Sequence, residues 1–220
     1  MIGIYHLKLL KYFTKLFIYL KKIVYYLILF ILYYIFNLLK LVCSYKYSKS
    51  SQKMINIYGN QPIVKIEVGR KKLSNFIAIA NVLSIGEFKK NNKYDNLYHV
   101  CLRVTIGETQ LLVEKNSIIT ITKWKKISNI EFENVEINRT ITLNELLNCT
   151  QQKLKNHFFK FNFIKNNCQD FVINILKCSN LGTKDNYNFI KQDINWKNMI
   201  GKKIIKHIIN ILTLILSYLY

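Results

Sequence analysis

From Ile23 to Leu39 the chain carries no charge, and Asn37 is its one polar break. A helix needs about 20 largely apolar residues to cross a bilayer, and this run reaches that length when extended through Lys40 to Cys43. Residues this apolar do not form the wet surface of a soluble domain, so the fold has to be built from the rest of the chain. The preceding stretch, Ile4 to Lys22, interleaves Leu7, Leu10, Phe13, Phe17 and Leu20 with Lys8, Lys11, Lys15 and Lys21. That basic amphipathic pattern suits a membrane surface. No small-residue cleavage site follows the apolar run, which favours a signal anchor over a removed leader. Residues 1–47 are therefore expected to form a basic amphipathic and transmembrane anchor. Lysines flank both ends, so orientation stays open. A second apolar run, Ile204–Tyr220, has Lys206 and His207 near its start and sets 202–220 apart as a hydrophobic tail helix. A tail anchor, an interfacial helix and a helix packed on the first segment all fit it.

Thirty-three Lys and Arg face 12 Asp and Glu, a formal net charge of +21. Only Arg70, Arg103 and Arg139 are arginine, and Lys, Asn, Ile and Tyr share AT-rich codons. No arginine-rich patch or zinc-finger spacing is present, so nucleic acid is not the expected partner. An anionic membrane surface is. The five cysteines, Cys43, Cys101, Cys149, Cys168 and Cys178, are odd in number and irregularly spaced, with no CxxC. Neither a disulfide framework nor a zinc site is expected, and no cofactor. A reducing compartment, such as the cytoplasmic face of a membrane, follows from that reading.

Between the apolar ends, 48–55 is polar and serine-rich and reads as a linker, and 56–201 reads as one soluble domain. Ile63–Val68, Leu97–Thr105, Gln110–Glu114 and Ile118–Lys123 have strand patterns, with a turn at Gly107. Lys72–Gly86 leans toward helix, and Lys89–Asn96 reads as a charged loop. Thr142-Leu-Asn-Glu145 is a capping box that opens a helix to about Lys153. Phe159–Ile164 reads as a short extended run. The expected class is α+β with an antiparallel sheet, flanked by hydrophobic helices at both ends.

Asn166-Asn167-Cys168-Gln169-Asp170-Phe171-Val172 carries the chemistry. Asn167 is a strong N-cap, and Phe171, Val172, Ile175 and Leu176 continue at helical spacing. Cys168 then lies in the first turn, where unpaired N–H groups and the helix dipole favour a thiolate. A thiolate nucleophile needs a base, and the base needs an orienting group. Of the four histidines, His99 lies in a strong strand, His157 in a loop-like stretch, and His6 and His207 in the apolar ends. A rigid strand favours His99. With a two-residue turn at Gly107-Glu108, His99 pairs with Asn116 and Cys101 with Glu114. A turn one residue earlier pairs His99 with Glu114. In either register Glu114 and Asn116 share the His99 face.

Asn167-Cys168-Gln169-Asp170-Phe171-Val172 resembles the N-C-x-x-F-V signature of the lecithin:retinol acyltransferase-like proteins. These belong to the NlpC/P60 group of circularly permuted papain-like thiol enzymes. Tyr98-His99-Val100 ahead of Cys168 reproduces that group's order of strand histidine and helix cysteine. The resemblance implies Cys168 as nucleophile, His99 as base and a permuted papain-like fold for the 56–201 domain. Backbone N–H groups at the Asn167-Cys168 helix start would form the oxyanion site, and membrane lipids would be the substrate. The family's third position is usually a histidine on the next strand. Here Glu114 or Asn116 stands in its place, a departure from the lipid acyltransferases in particular. The permuted PPPDE-type peptidases share the histidine-then-cysteine order, so a cysteine peptidase or deubiquitinase acting on a protein substrate is the alternative. An inactive membrane scaffold of the same fold is a third.

Overall fold

The computed structural model describes Phe30 and residues 47–73, 96–126 and 129–193. The chain divides into two units, Met1–Cys43 and Ser44–Tyr220, and all described residues except Phe30 belong to the second. Both apolar runs, apart from Phe30, lie outside the described residues. So do His6, His207, the leaning-helix stretch from 74 onward and most of the expected charged loop. Among the described residues no helix is long and apolar enough to cross a membrane.

Five strands form one antiparallel sheet: β1 (Ile63–Lys72), β2 (Tyr98–Ile106), β3 (Thr109–Lys115), β4 (Ile119–Lys123) and β5 (Ile130–Val135). Their spatial order is β4-β3-β2-β1-β5. Among the described residues four helices accompany them: α1 (Lys49–Tyr58), α2 (Leu143–Leu154), α3 (Cys168–Cys178) and α4 (Lys184–Ile190). The architecture is α+β with an antiparallel sheet, as the strand and helix patterns imply.

Alternation along the strands buries one side chain in two. Ile66 and Val68 of β1, Val100, Leu102 and Val104 of β2, Leu111 and Val113 of β3 and Ile121 of β4 face the core. Leu143, Leu146 and Leu147 of α2 and Phe171, Val172, Ile175 and Leu176 of α3 close over them. Gly107, at φ 55°, supplies the positive φ that the first position of this two-residue hairpin takes. Ile106 therefore pairs with Thr109, and Cys101 with Glu114.

Four expectations are corrected. The serine-rich stretch taken as a linker is α1, packed on β4. Ser48 caps its N-terminus by accepting from Ser51 N–H at 3.0 Å. Ser51 is fully buried; its Oγ accepts from Ile121 N–H at 2.9 Å and donates to Ile119 C=O at 3.4 Å. Edge strand β4 would otherwise leave those groups unpaired, and α1 covers them. Phe159–Ile164 is not extended: the Asn162 side chain accepts from the N–H groups of Ile164 and Lys165, folding the segment into a tight turn. β5 and α4 were not anticipated. Finally, Cys149 of α2 and Cys178 of α3 form a disulfide, their Cα atoms 6.0 Å apart, against the expectation of none. The two helices pack side by side and bring these residues within bridging range.

Ser51→Ala should leave Ile121 N–H buried without an acceptor. We expect a stability loss of about 1–3 kcal/mol, read as a lower urea midpoint with an unchanged m-value. An unchanged midpoint would show that α1 does not protect this edge.

Candidate active site

Asn167 starts α3 as the sequence suggests. Its Oδ1 accepts from the N–H groups of Gln169 (2.9 Å) and Asp170 (3.1 Å), and Asp170 Oδ2 accepts from Asn167 N–H at 3.2 Å. This reciprocal capping box fixes the first turn. Lys191 Nζ holds Asp170 Oδ1 at 2.9 Å. Cys168 is thus set at the first helical position, half-buried against the open end of β2. The β2–β3 ladder stops at Cys101 and Glu114, so Val100 and His99 lie beyond its last pair.

His99 Nε2 lies 3.1 Å from Glu114 Oε1. Glu114 sits opposite Cys101, two residues along β2 on the same face, and reaches His99 diagonally. That bond leaves Nδ1 as the ring nitrogen for the thiol. Burial opposes charge on His99. The negative charge and hydrogen bond of Cys168, then those of Glu114, outweigh it and push the imidazolium up to about 10. Burial likewise opposes the Cys168 thiolate, yet the charge and hydrogen bond of His99 and the N–H groups of Val100 and Gln169 draw its pKa below the ordinary thiol value. The two shifts are coupled: the charged form of each group favours the charged form of the other.

A second network clamps helix to strand. Gln169 is buried, and its Oε1 accepts from Gln192 N–H at 3.1 Å. Gln192 Oε1 accepts from Tyr98 N–H at 2.9 Å, and its Nε2 donates to Asn96 C=O at 2.9 Å. The first turn of α3 and the start of β2 are therefore tied together by amide side chains, beside the thiol and the imidazole.

Of the sequence candidates, the structure brings Cys168, His99 and Glu114 together and places Asn167 as the cap. Asn116 is not part of the constellation. It falls in the tight link between β3 and β4, where its N–H donates to Ile118 C=O at 3.0 Å, and it makes no hydrogen bond to His99. Lys115 must pair with Ile119, so the chain is already turning at Asn116. His157 is exposed in a 3-10 turn (Lys155–His157) and does not bond Cys168.

Sequence reading missed Lys115 and the Gln169–Gln192 clamp. Lys115 is fully buried on the core side of β3. Its signal was present: it continues the inward phase of Leu111 and Val113. Gln192 lies well past the motif, and nothing in the local pattern marks it. A cleft lined by Asn148, Gln151, Lys155, Phe159 and Lys160 opens at the end of α2 and contains none of the site residues. Among the described residues no cluster of His, Cys, Asp and Glu could hold a metal. No family model, no curated protein and no solved structure matches the chain.

The coupling is measurable through alkylation. Cys168 should react with iodoacetamide at pH values below those at which an ordinary thiol ionises. His99→Ala should move the midpoint of its pH–rate profile upward, and Glu114→Gln should move it in the same direction by less. Cys101 serves as the internal control. Burial raises its thiol pKa, its Sγ is bonded to Gly69 C=O at 3.6 Å, and it should stay unlabelled. A Cys168 midpoint unmoved by His99→Ala would dissolve the pair.

Proposed function

We propose that this chain is a membrane-anchored thiol acyltransferase or lipid hydrolase with a permuted papain-like domain of the lecithin:retinol acyltransferase-like type. The observation that carries the reading is the line from Cys168 through His99 to Glu114, with the cysteine at a capped helix start. The apolar runs 23–43 and 204–220 support membrane attachment, which would hold the thiol beside its lipid. The Cys149–Cys178 disulfide removes the cysteine count as support for a reducing compartment, so the side of the membrane is left to the topology of those runs.

In this reading the Cys168 thiolate attacks the acyl carbonyl carbon and forms a C–S bond. The Cys168 N–H accepts no role in the Asn167 cap, which engages Gln169 and Asp170, so it is the donor left for the developing oxyanion. Collapse expels the alkoxide, which takes its proton from the His99 imidazolium. Water or an acceptor hydroxyl or amine then gives a proton to His99 and attacks the thioester. The C–S bond breaks and the thiolate returns. Glu114 keeps the imidazole oriented through both halves. No cofactor is required.

One observation favours a second reading. The third group is a carboxylate, where the lipid acyltransferases usually carry histidine. A thiol peptidase or isopeptidase acting on a protein at the membrane surface would use the same three residues.

Incubation with phospholipid vesicles carrying a labelled acyl chain separates the two. The lipid reading expects a hydroxylamine-sensitive label on Cys168, abolished by Cys168→Ala and reduced by about 10³-fold or more in rate by His99→Ala. Absence of that label together with cleavage of a ubiquitin-type isopeptide bond would replace the first reading with the second. Absence of both would leave a scaffold without catalytic function.

A further inference from the structure

Lys115 is a charged side chain with no exposure, and the reaction outlined above does not use it. Its Nζ donates to Phe158 C=O at 2.7 Å, to Asn166 Oδ1 at 3.2 Å and to His157 C=O at 3.4 Å. It also lies 5.5 Å from the centre of the Phe171 ring, in the first turns of α3. An ammonium has three donors and no acceptor, so all three are used. Every acceptor lies in the segment between the end of α2 and the start of α3.

Lys115 is the charged group that ties this segment to the sheet, beside the packing of Phe158 and Phe159 on Tyr47. The segment contains the 3-10 turn and the Asn162 turn, and it ends on Asn166, the residue before the cap. Asn166 is the junction: its Oδ1 accepts from Lys115, while its Nδ2 donates to His157 C=O (2.6 Å) and Lys160 C=O (2.5 Å). The next two residues are the cap Asn167 and the nucleophile Cys168. Phe158, the other anchor, is fully buried and packs on Phe159 and Phe171. The far end of the strut is equally fixed, because Lys115 follows Glu114 on β3. One strand thus presents its carboxylate to His99 on one face and its ammonium to the nucleophile loop on the other.

We propose that Lys115 is a positioning residue, a buried strut that seats the segment 157–166 and so fixes the Cys168 sulfur against His99. The negative charges that reach it come from α3, from Asp170 and Cys168. They oppose the burial that pulls its ammonium down to about 8. The three acceptors and those charges favour the ammonium, whose positive charge in turn favours the thiolate it positions. A lysine serves here where a shorter donor would not, since the acceptors lie across the core layer from the strand backbone. The catalytic meaning of this role rests on the thiol-enzyme reading, but the strut itself is testable without any substrate.

The test compares Lys115→Met with wild type in the full chain. Methionine preserves much of the volume and removes a buried charge, a change that cores often tolerate. The proposal expects two results. Cys168 alkylation at neutral pH slows by roughly tenfold or more, with its pH midpoint raised, because displacement of a reacting group by about 1 Å has large effects on rate. Amide hydrogen exchange speeds up selectively over 157–167, while the β2–β3 hairpin keeps its protection. Lys115→Arg, which retains the charge and donors, restores part of both. A folded Lys115→Met protein with unchanged alkylation and unchanged exchange in 157–167 would overturn the proposal, as would uniformly faster exchange across the domain. Should Lys115→Met fail to fold, Asn166→Ala removes the loop-side acceptor while leaving the buried lysine in place. It must reproduce both the slowed alkylation and the local exchange, and normal alkylation in that variant overturns the proposal. Failure of the lipid and peptide assays alone would count against the enzyme reading and leave these two readouts standing.

Discussion

The register of the β2–β3 hairpin is the constraint on which the site depends. Gly107 and Glu108 fix it, Ile106 faces Thr109, and five residues further along each strand Cys101 faces Glu114. Side chains alternate, so this register sends Glu114 to the His99 face and Lys115 into the core. A slip of one residue would exchange them. It would turn the Glu114 carboxylate into the core and the ammonium toward the imidazole. The first change strands an unpaired charge, and the second repels an imidazolium. The buried Val and Ile residues of the same two strands oppose that slip independently. Core packing and site electrostatics therefore select the same register.

Cys168 is held from two directions that meet at Asn166 and Asn167. From the strand side, Lys115 grips the loop and the Gln169–Gln192 pair grips the first helical turn. From the helix side, the capping box locks Asn167 to Asp170, and Lys191 locks Asp170 in turn. The disulfide ties the last residue of α3 to α2. A helix anchored at both ends cannot rotate its first residue away from His99 without breaking several of these contacts. This is how a short helix after an irregular loop can still present a side chain with the constancy a reacting group requires.

Much of this was legible in the chain because it rests on local rules. The capping box at Thr142 and the N-cap at Asn167 need only residues within one turn, and both appear where the sequence puts them. The alternation in β1 to β4 and the turn at Gly107 are equally local. What escaped depends on distant partners. Ser48, Ser50 and Ser51 look like linker residues, yet Ser51 is buried because it satisfies the edge of β4 across the fold. β5 alternates over Ile130-Glu131-Phe132-Glu133, but its glutamates and Asn134 are poor strand formers, and its pairing with β1 supplies what their propensity does not. The disulfide needs two helices to be packed before its cysteines can be seen as neighbours. Asn116 looked equivalent to Glu114 by alternation alone; the short link into β4 takes it out of the ladder, and no rule confined to β2 and β3 contains that information.

Under the proposed thiol-enzyme reading, a carboxylate at Glu114, where the resembled acyltransferases usually carry histidine, has a chemical consequence. A neutral third group orients an imidazole but adds no net charge. A carboxylate 3.1 Å from Nε2 also stabilises the protonated ring, and so, through their coupling, the thiolate. The charged forms of Cys168 and His99 then favour each other, and in the proposed chemistry His99 would carry the proton that a leaving group needs. In that chemistry, general-base removal of the thiol proton would be less demanding, and the imidazolium's acidity would become the adjustable quantity. Too strong a grip by Glu114 would make His99 a poor acid toward an alkoxide or amine. The diagonal placement of the carboxylate, partly exposed and two residues off the direct pair, moderates that grip by leaving it in contact with water. On the proposed reading, Glu114 shifts the balance of the site toward thiolate formation, a demand shared by lipid and peptide chemistry alike.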